Sequence, residues 1–390
     1  MNGTVGPGGL VEVVREQLAT SPGALTPHRV AEALRARGRP VGDATVLEVY
    51  EALRHDVVGA GPLEPLLRQA GVTDVLVNGH AQVFFDRGAG LERTSVRFAD
   101  DDAVRRLAQR LASLGGRRLD DATPHVDVRL PDGSRLHAVL APVARPGTLV
   151  SLRVPPARVF TLEELVACGT VSRPGAELLR ALVACRAAFL VSGGTGSGKT
   201  TLLSSLLSLV DPVERMVLVE DAAELRPDHP HVVGLESRTA NVEGVGAIEL
   251  RTLVRQALRM RPDRLVVGEV RGGEVVDLLA ALNTGHEGGC GTLHANSAGD
   301  VPARVEALAL AAGLDRPAVH SQLASGVAAV VHLRRGRDGV RRLAEVAVPA
   351  RDTDAGWVTM VPAVTVGPDG RLAEGPAARR LADLLEGQRR

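Results

Sequence analysis

Lysine is almost missing from this chain: of 46 basic residues, one, Lys199, is a lysine and the other 45 are arginines. Aromatic side chains make up 2% of the residues, which leaves little material for a base-stacking platform that would hold single-stranded nucleic acid. The 46 basic residues are balanced by 46 acidic ones, so the basic excess of a constitutive nucleic-acid coat is absent, although a local basic groove is still allowed. Only three cysteines occur, Cys168, Cys185 and Cys290, far apart and without a Cys-x-x-Cys pair. That excludes a disulfide scaffold and a zinc ribbon and predicts a reducing compartment. No run of 18 apolar residues is found, and the first ten residues lack a basic stretch followed by an apolar core, so neither a signal peptide nor a membrane span is expected. What remains is a globular composition, 45% hydrophobic and 24% charged, and a length of 390 residues that predicts two or three domains.

The arginine excess has a bland origin in a GC-rich coding sequence, which makes the exception informative. Arginine is a planar fork and lysine a compact point charge, so a site that needs the latter does not accept the exchange. Lys199 lies in Gly193-Gly194-Thr195-Gly196-Ser197-Gly198-Lys199-Thr200. Along the chain, residues 1–60 read as a short helical lead-in, with Thr26 and Pro27 opening one helix and Asp43 capping another that runs towards Leu53. Residues 61–156 read as an α+β domain. Its expected strands are 74–79, 82–85, 126–130, 135–139 and 148–154, with a helix over 101–114 that stops at Gly115-Gly116 and a stiff Pro155-Pro156 exit. From 157 to 390 strands and helices alternate, as in a parallel sheet with crossover helices. Its apolar runs Ala187–Val191, Met216–Val219 and Leu265–Val267 have the continuous character of strands buried on both faces. Val327–Leu333 and Val340–Val346 flank a hairpin signal at Arg337-Asp338-Gly339, and 376–390 reads as a terminal amphipathic helix. Trp357 and Tyr50 read as packing residues.

The glycine-rich segment follows the expected strand Ala187–Ser192 and precedes a helical run over Thr201–Leu209, which is the context a phosphate-binding loop requires. Its glycines let successive N–H groups turn towards a phosphate, and the helix N-terminus adds partial positive charge. Lys199 can reach the β- and γ-phosphates of a nucleotide, and the Thr200 hydroxyl can ligate Mg²⁺.

Class follows from what accompanies the loop. A guanine-reading Asn-Lys-x-Asp motif needs a second lysine, which the chain does not have. An ABC-type signature is absent, and a small-molecule kinase would be shorter with an arginine-rich lid. Ring-forming motor ATPases remain. Leu265-Val266-Val267-Gly268-Glu269 has the strand-then-acid form in which the carboxylate organises the Mg²⁺ shell; a solvated strand-end acid is the plain alternative. Glu220, Asp221 and Glu224 form a second acidic cluster after another strand, able to orient water or accept its proton, or simply a charged loop. His286 and His294 follow, without the thiolate pairs that would argue for zinc.

Together these segments resemble the ATPases of type II and type IV secretion systems, which also drive type IV pili. The phosphate loop, an "Asp box", the Gly268-Glu269-Val270-Arg271 form of the metal-side acid and a "His box" occur in that family's order. The texture of Arg259–Gly272, Asn283–Gly288, Leu293–Ser297, Val77-Asn78-Gly79, Gly116–Asp120 and Val126–Arg135 is similar to the CpaF-like (Tad pilus) branch. The resemblance spans roughly residues 45–350. Ala222 stands where the family often has proline, a change this branch tolerates, and His137 stands where the branch commonly has asparagine.

The resemblance implies a homo-hexamer of two-domain subunits. In it, ATP with Mg²⁺ lies between an α+β N-terminal domain and a RecA-like P-loop domain with a predominantly parallel sheet. It implies Gly193, Gly194, Thr195, Gly196, Ser197, Gly198, Lys199, Thr200 and Thr201 as nucleotide ligands. Glu224 would activate water with Glu220 and Asp221 in support. Glu269 and Thr200 would stand on the metal side, partly through water, His294 would face the γ-phosphate, and His286 would be a secondary candidate. Arg129 and Arg153, ahead of Arg135, would be arginines presented by the N-terminal domain. Its implied partner is a polytopic inner-membrane platform protein, with peripheral attachment at the cytoplasmic side through that partner and no direct grip on nucleic acid. A conjugal DNA-transfer ATPase and a non-hydrolysing nucleotide-bound scaffold are the rival readings.

Overall fold

The computed structural model describes residues 26–36, 59–88, 90–155, 158–238, 244–285, 287–336, 338–352, 356–367 and 369–387, together with 14, 42, 45–47, 49–50 and 240. The chain divides into two compact units, Met1–Pro156 and Ala157–Arg390.

In the first unit, helix α1 (Pro27–Arg35) begins as its sequence dictates, with Thr26 Oγ1 accepting from the Arg29 N–H and Pro27 in the first turn. Its apolar face joins Val14, Val46 and Val49 in a small cluster of its own. Residues 45–47 and 49–50 are helical, while Asp43 and Leu53, the expected ends of that helix, lie outside the described residues. A short helix α2 (Glu64–Leu67) leads to strands β1 (Asp74–Asn78), β2 (Val83–Asp86) and β3 (Leu91–Arg93). Helix α3 (Asp101–Leu114) follows, then strands β4 (His125–Arg129), β5 (Arg135–Val139) and β6 (Leu149–Arg153). The sheet order is β3-β2-β1-β6-β5-β4, with every pairing antiparallel. Period-two alternation places Val126 and Val128 of β4 inside and His125, Asp127 and Arg129 outside. The buried face packs on Val104, Leu107, Ala108 and Leu111 of α3, which is capped by Asp100.

The second unit opens with helix α4 (Leu162–Ala167), held by a Thr161/Glu164 capping box, and helix α5 (Arg173–Ala184). Strand β7 (Phe189–Gly193), helix α6 (Lys199–Leu207), strands β8 (Met216–Glu220) and β9 (Val232–Glu236), and helix α7 (Leu250–Ala257) come next. They are followed by strand β10 (Arg264–Val270), helix α8 (Glu274–Leu282), strand β11 (Cys290–Leu293), and helices α9 (Val301–Ala311) and α10 (Arg316–Gly326). Strands β12 (Ala329–Arg335), β13 (Arg341–Arg351), β14 (Val358–Val366) and β15 (Leu372–Glu374) precede helix α11 (Ala378–Gly387). The nine strands lie in the order β15-β14-β13-β12-β7-β11-β10-β8-β9. The six from β12 to β9 are parallel, and β13 to β15 extend the sheet by antiparallel pairing. Phe189 and Val191 of β7 join one apolar cluster with α4, α5, α6 and α11, and Leu190 joins the other with α7 to α10. Helices therefore cover both faces, which is why β7, β8 and β11 are buried at every position.

Strands β3, β9, β11, β14 and β15 are additions to the sequence reading, and helix α6 starts two residues before the expected Thr201. Arg337, in the expected hairpin turn, lies outside the described residues.

At the N-terminal end of β10, Arg264 is 3% exposed and bonds Glu214 bidentately, at 2.8 and 3.0 Å, while also donating to the Val183 carbonyl. Removing one member of a buried pair strands the other charge, at a cost of about 3–5 kcal/mol, whereas replacing both with apolar groups is close to neutral. Glu214→Ala is expected to lower the unfolding free energy from denaturant titration by that order, and the Arg264→Met/Glu214→Leu double variant to recover most of the loss; equal losses would remove this account of the pair.

Candidate functional site

Strand β7 delivers the glycine-rich loop at the middle of the nine-stranded sheet, flanked by β11 on one side and β12 on the other. Gly193 ends the strand with φ +154°, and a Cβ there would meet the Leu333 carbonyl oxygen at 2.5 Å. Gly196 and Gly198 also have positive φ, +69° and +94°, and Gly198 is the left-handed residue that caps α6. Gly194, Thr195 and Gly196 face outward, whereas Ser197 is buried and its Oγ has no hydrogen-bond partner. The first-turn N–H groups of Lys199, Thr200 and Thr201 have no acceptor within the helix by geometry, so the loop and helix end together form an anion cradle.

Lys199 is buried at 7% exposure, and its ammonium donates to the carbonyls of Gly193 and Gly194, each at 3.1 Å. Its third contact is His294 Nε2 at 3.3 Å. An ammonium only donates, so Nε2 is the acceptor and the imidazole is neutral. Burial lowers the Lys199 pKa, opposed by the carboxylates of Glu269 and Glu224 and assisted by Arg271. Burial also lowers that of His294, and the Lys199 ammonium adds to it.

Glu269 reaches this point through an irregularity in its strand. The β10–β11 register shifts between Val267 and Val270, so one extra residue of β10 is accommodated where Gly268 and Glu269 sit, and Thr292 Oγ1 donates to the Gly268 carbonyl at 2.6 Å. Such a bulge re-aims a side chain. Glu269 Oε2 accepts from Arg271, and Oε1 lies 2.9 Å from His294 Nε2. With that nitrogen engaged as an acceptor on a neutral ring, the approach is neither a hydrogen bond nor an ion pair, and Oε1 is a buried oxygen without a hydrogen-bond partner.

The neighbouring strand β8 ends in Glu220, which is 4% exposed. Its Oε1 accepts the N–H groups of Glu224 at 3.0 Å and Leu225 at 2.9 Å, so it clamps the acidic loop from inside. Gly268 has no side chain because a Cβ would meet Glu220 Cγ at 2.6 Å. Burial pushes the Glu220 carboxyl up to about 7, against the pull of the two N–H bonds. Asp221 accepts from Ser237 Oγ. Glu224 is exposed on the clamped loop, close enough to Lys199 to influence its ammonium. Beyond His294, a cleft of about 260 Å³ is lined by His294, Asn296, Asp300 and Arg304.

The structure thus brings Lys199, Glu224, Glu269 and His294 to the same edge of the sheet. Arg129 and Arg153 belong to the first unit, where Arg129 pairs in register with Arg135, Arg135 with Arg153 and Arg153 with Asp74, so all three arginines share one face. Arg135 is bound to Asp127 and Arg153 stands 3.5 Å from Asp74. His286 lies outside the described residues. Sequence reasoning passed over the buried Ser192 Oγ–His332 Nδ1 pair at 2.9 Å, directly behind the loop; a histidine within the apolar run Val330-Val331-His332-Leu333 is the signal that would have found it.

A metal ion with a nucleotide fits these residues. The orphaned Glu269 Oε1 and Ser197 Oγ are buried oxygens without partners beside the cradle. Among the described residues no three carboxylate, histidine or cysteine side chains converge into a metal cage, and Mg²⁺ needs none when phosphates and water complete its shell.

Residues 56–351 match the family model described as type II/IV secretion system protein. A Mycobacterium tuberculosis protein whose name refers to conjugal transfer is 59% identical over 314 residues, covering 79% of this chain and 89% of its own length. The conjugal transfer protein TrbB of Rhizobium radiobacter is 30% identical over 287 residues, covering 72% of this chain and 84% of its own. Among solved structures, the pilus retraction motor PilT with bound ADP superposes with a TM-score of 0.52 at 20% identity, over 84% of this chain and 85% of its own. The Yersinia pseudotuberculosis ATPase DotB gives 0.51 at 17%, over 87% and 85%. The two structures agree with the fold: a RecA-like P-loop domain preceded by an α+β unit.

The Glu220 clamp has a pH signature. Its folded pKa, about 7, lies above the ordinary 4.5, so the unfolded chain releases the proton first and stability falls as pH rises from 4.5 to 7. Glu220→Gln keeps an oxygen for both N–H groups and removes the titration. The variant is expected to match wild type below pH 4.5 and to exceed it above pH 7 by an amount on the order of 3 kcal/mol. Denaturation curves that stay parallel across this range would show that Glu220 is ionised at no cost.

Proposed function

The chain belongs to the type II/IV secretion system protein family, and we propose on that footing that it is an ATP-hydrolysing motor. It assembles as a ring of six and powers a Tad-like type IV pilus or a type II/IV secretion machine. The observation that carries the reading is the meeting of Lys199, Glu269 and His294 at the phosphate loop, with Glu269 Oε1 and Ser197 Oγ buried and unsatisfied.

In this account the N–H groups of the loop and of the first turn of α6 cradle the phosphates. Lys199 exchanges the Gly193 and Gly194 carbonyls for phosphate oxygens, and Thr200 and Glu269 take the metal side. Mg²⁺, when bound with the nucleotide, supplies charge neutralisation across the phosphates. Glu224 orients the attacking water and takes its proton, on a loop that Glu220 fixes and Asp221 supports. Neutral His294 donates towards the γ-phosphate once Lys199 has moved to the phosphates and its ring nitrogen is free to carry the proton. Residues 61–156 close over the nucleotide and present Arg129 and Arg153 to it, as a guanidinium fork suits phosphate oxygens. Residues 1–60 form a lead-in, and 157–390 form the ATPase domain.

No helix among the described residues is long and apolar enough to cross a membrane. The motor works at the cytoplasmic face through a polytopic platform partner. The relatives named for conjugal transfer support extending the same reading to a DNA-transfer machine. There too the ring drives a channel instead of gripping the strand, consistent with zero net charge and 2% aromatic residues. ATP turnover that rises steeply with added DNA and collapses with salt would move the proposal to strand handling.

Lys199→Ala is expected to abolish phosphate release, and Lys199→Arg to be severely impaired. Glu269→Gln and Glu224→Gln are expected to bind ATP and trap it. Arg129→Ala and Arg153→Ala are expected to lower turnover on the order of a hundredfold while ATP affinity falls much less. Phosphate release and nucleotide titration on each variant decide these; wild-type turnover by Lys199→Arg would contradict the role given to the lone lysine.

A further inference from the structure

The β12–β13 hairpin carries an arrangement that costs stability. Arg334 stands opposite Arg342 and Arg335 opposite Arg341 in the antiparallel register. Like charges directly across a strand pair repel. One carboxylate relieves them, Asp338, and Arg342 holds it through both oxygens at 2.7 and 3.0 Å. Arg335 and Arg341 make no ion pair among the described residues; Arg335 Nε donates to the Gly339 carbonyl at 3.2 Å and Arg341 Nε to the Gly196 carbonyl at 2.9 Å.

The second of these bonds places the pair on the phosphate loop. A Cβ on Gly198 would lie 3.2 Å from Arg341 Cδ, and one on Gly196 would lie 3.8 Å from Arg335 Nη1. Both guanidinium groups therefore stand at the rim of Gly196–Gly198, solvent-exposed and with outer N–H groups not committed to the contacts above. Position along the sheet says which part of a nucleotide they meet. Lys199, His294 and Glu269 mark the γ-phosphate end, on the side of β7 where β11 and β10 lie. The hairpin rises from β12, on the opposite side of β7. A nucleotide whose β- and γ-phosphate positions lie at Lys199 points its nucleoside end towards the hairpin.

We propose that Arg335 and Arg341 bind the α-phosphate of the nucleotide, forming the nucleoside-side half of a site whose other half is Lys199, Glu269 and His294. The unrelieved repulsion of the hairpin is offset when the anion arrives, so the pair contributes affinity that depends on the phosphate next to the nucleoside. This inference rests on the nucleotide reading above.

The test is calorimetric titration of the full-length protein with ATP, ADP and inorganic pyrophosphate, for wild type, Arg335→Gln, Arg341→Gln and the double variant. Both side chains are exposed, and glutamine can still donate to the Gly196 and Gly339 carbonyls. Each substitution is expected to weaken ATP and ADP about tenfold, and the pair more, because a charge-assisted bond is lost each time. Pyrophosphate, which fills only the two positions at Lys199, is expected to keep its affinity within about twofold, whereas Lys199→Ala weakens all three probes. Unchanged ATP and ADP affinity in the double variant would overturn the assignment and leave the nucleotide reading standing. So would equal weakening of all three probes, which would mean that the arginines act by shaping the loop. Loss of ring assembly with nucleotide affinity kept would assign the pair to a carboxylate of a neighbouring subunit, again against the α-phosphate. A wild-type protein that binds none of the probes would remove the nucleotide reading and this inference with it.

Discussion

A buried ammonium organises the site. Lys199 satisfies its three N–H groups with the carbonyls of Gly193 and Gly194 and with His294 Nε2. Through these contacts it holds the loop curled, fixes the tautomer of the histidine and leaves Glu269 Oε1 facing a nitrogen that cannot donate to it. Burial already disfavours the lysine's charge. A cradle that holds a desolvated cation and keeps two oxygens unsatisfied is set up for an anion and a second cation to enter together.

The sheet makes that meeting possible. In a parallel sheet the carboxyl ends of the strands share an edge, and ligands bind outside it. Ser192 of β7 is in register with Leu293 of β11 and with His332 of β12, so the loop, the histidine segment and the hairpin leave the sheet at one level. Glu269 reaches the same level through the irregularity in β10, and Glu220 occupies the space that Gly268 vacates. The glycine and the acid of Gly268-Glu269 thus have separate duties: one makes room for a clamp on the neighbouring strand, the other faces the cradle.

Much of this was legible in the residues. The loop is readable because positive φ at Gly196 and Gly198 demands glycine and because the lone lysine stands out against 45 arginines. Strands β7, β8 and β10 are readable as apolar runs bounded by turns. Strand β11 escaped because Cys290-Gly291-Thr292-Leu293 is short and only partly apolar, and it is held by register with β7 and β10 and not by its own propensity. Strand β9 is an edge strand of mixed burial, so its sequence alternates weakly. The three arginines of the first unit were recognised singly, but whether they share a face depends on hairpin register, which composition does not encode; the pairing of Arg129 with Arg135 and of Arg135 with Arg153 resolves it. Glu220 was read as one acid among three. Its distinct duty as a buried clamp rests on two backbone N–H groups that close only in the fold. Arg335 and Arg341 were invisible as site candidates for a similar reason: they lie more than 130 residues beyond the loop in sequence and meet it only through the β7–β12 pairing.

The chain's composition offers a direct measurement. Because Lys199 is its single lysine, ¹⁵N-lysine labelling yields one side-chain ammonium signal, and that signal belongs to the site. The account predicts that in the nucleotide-free protein this group titrates below the ordinary lysine value of 10.5, and that Mg²⁺ and ATP move the resonance and raise its pKa as phosphate oxygens replace the loop carbonyls. A signal that titrates like a solvated lysine and does not respond to ATP would contradict it.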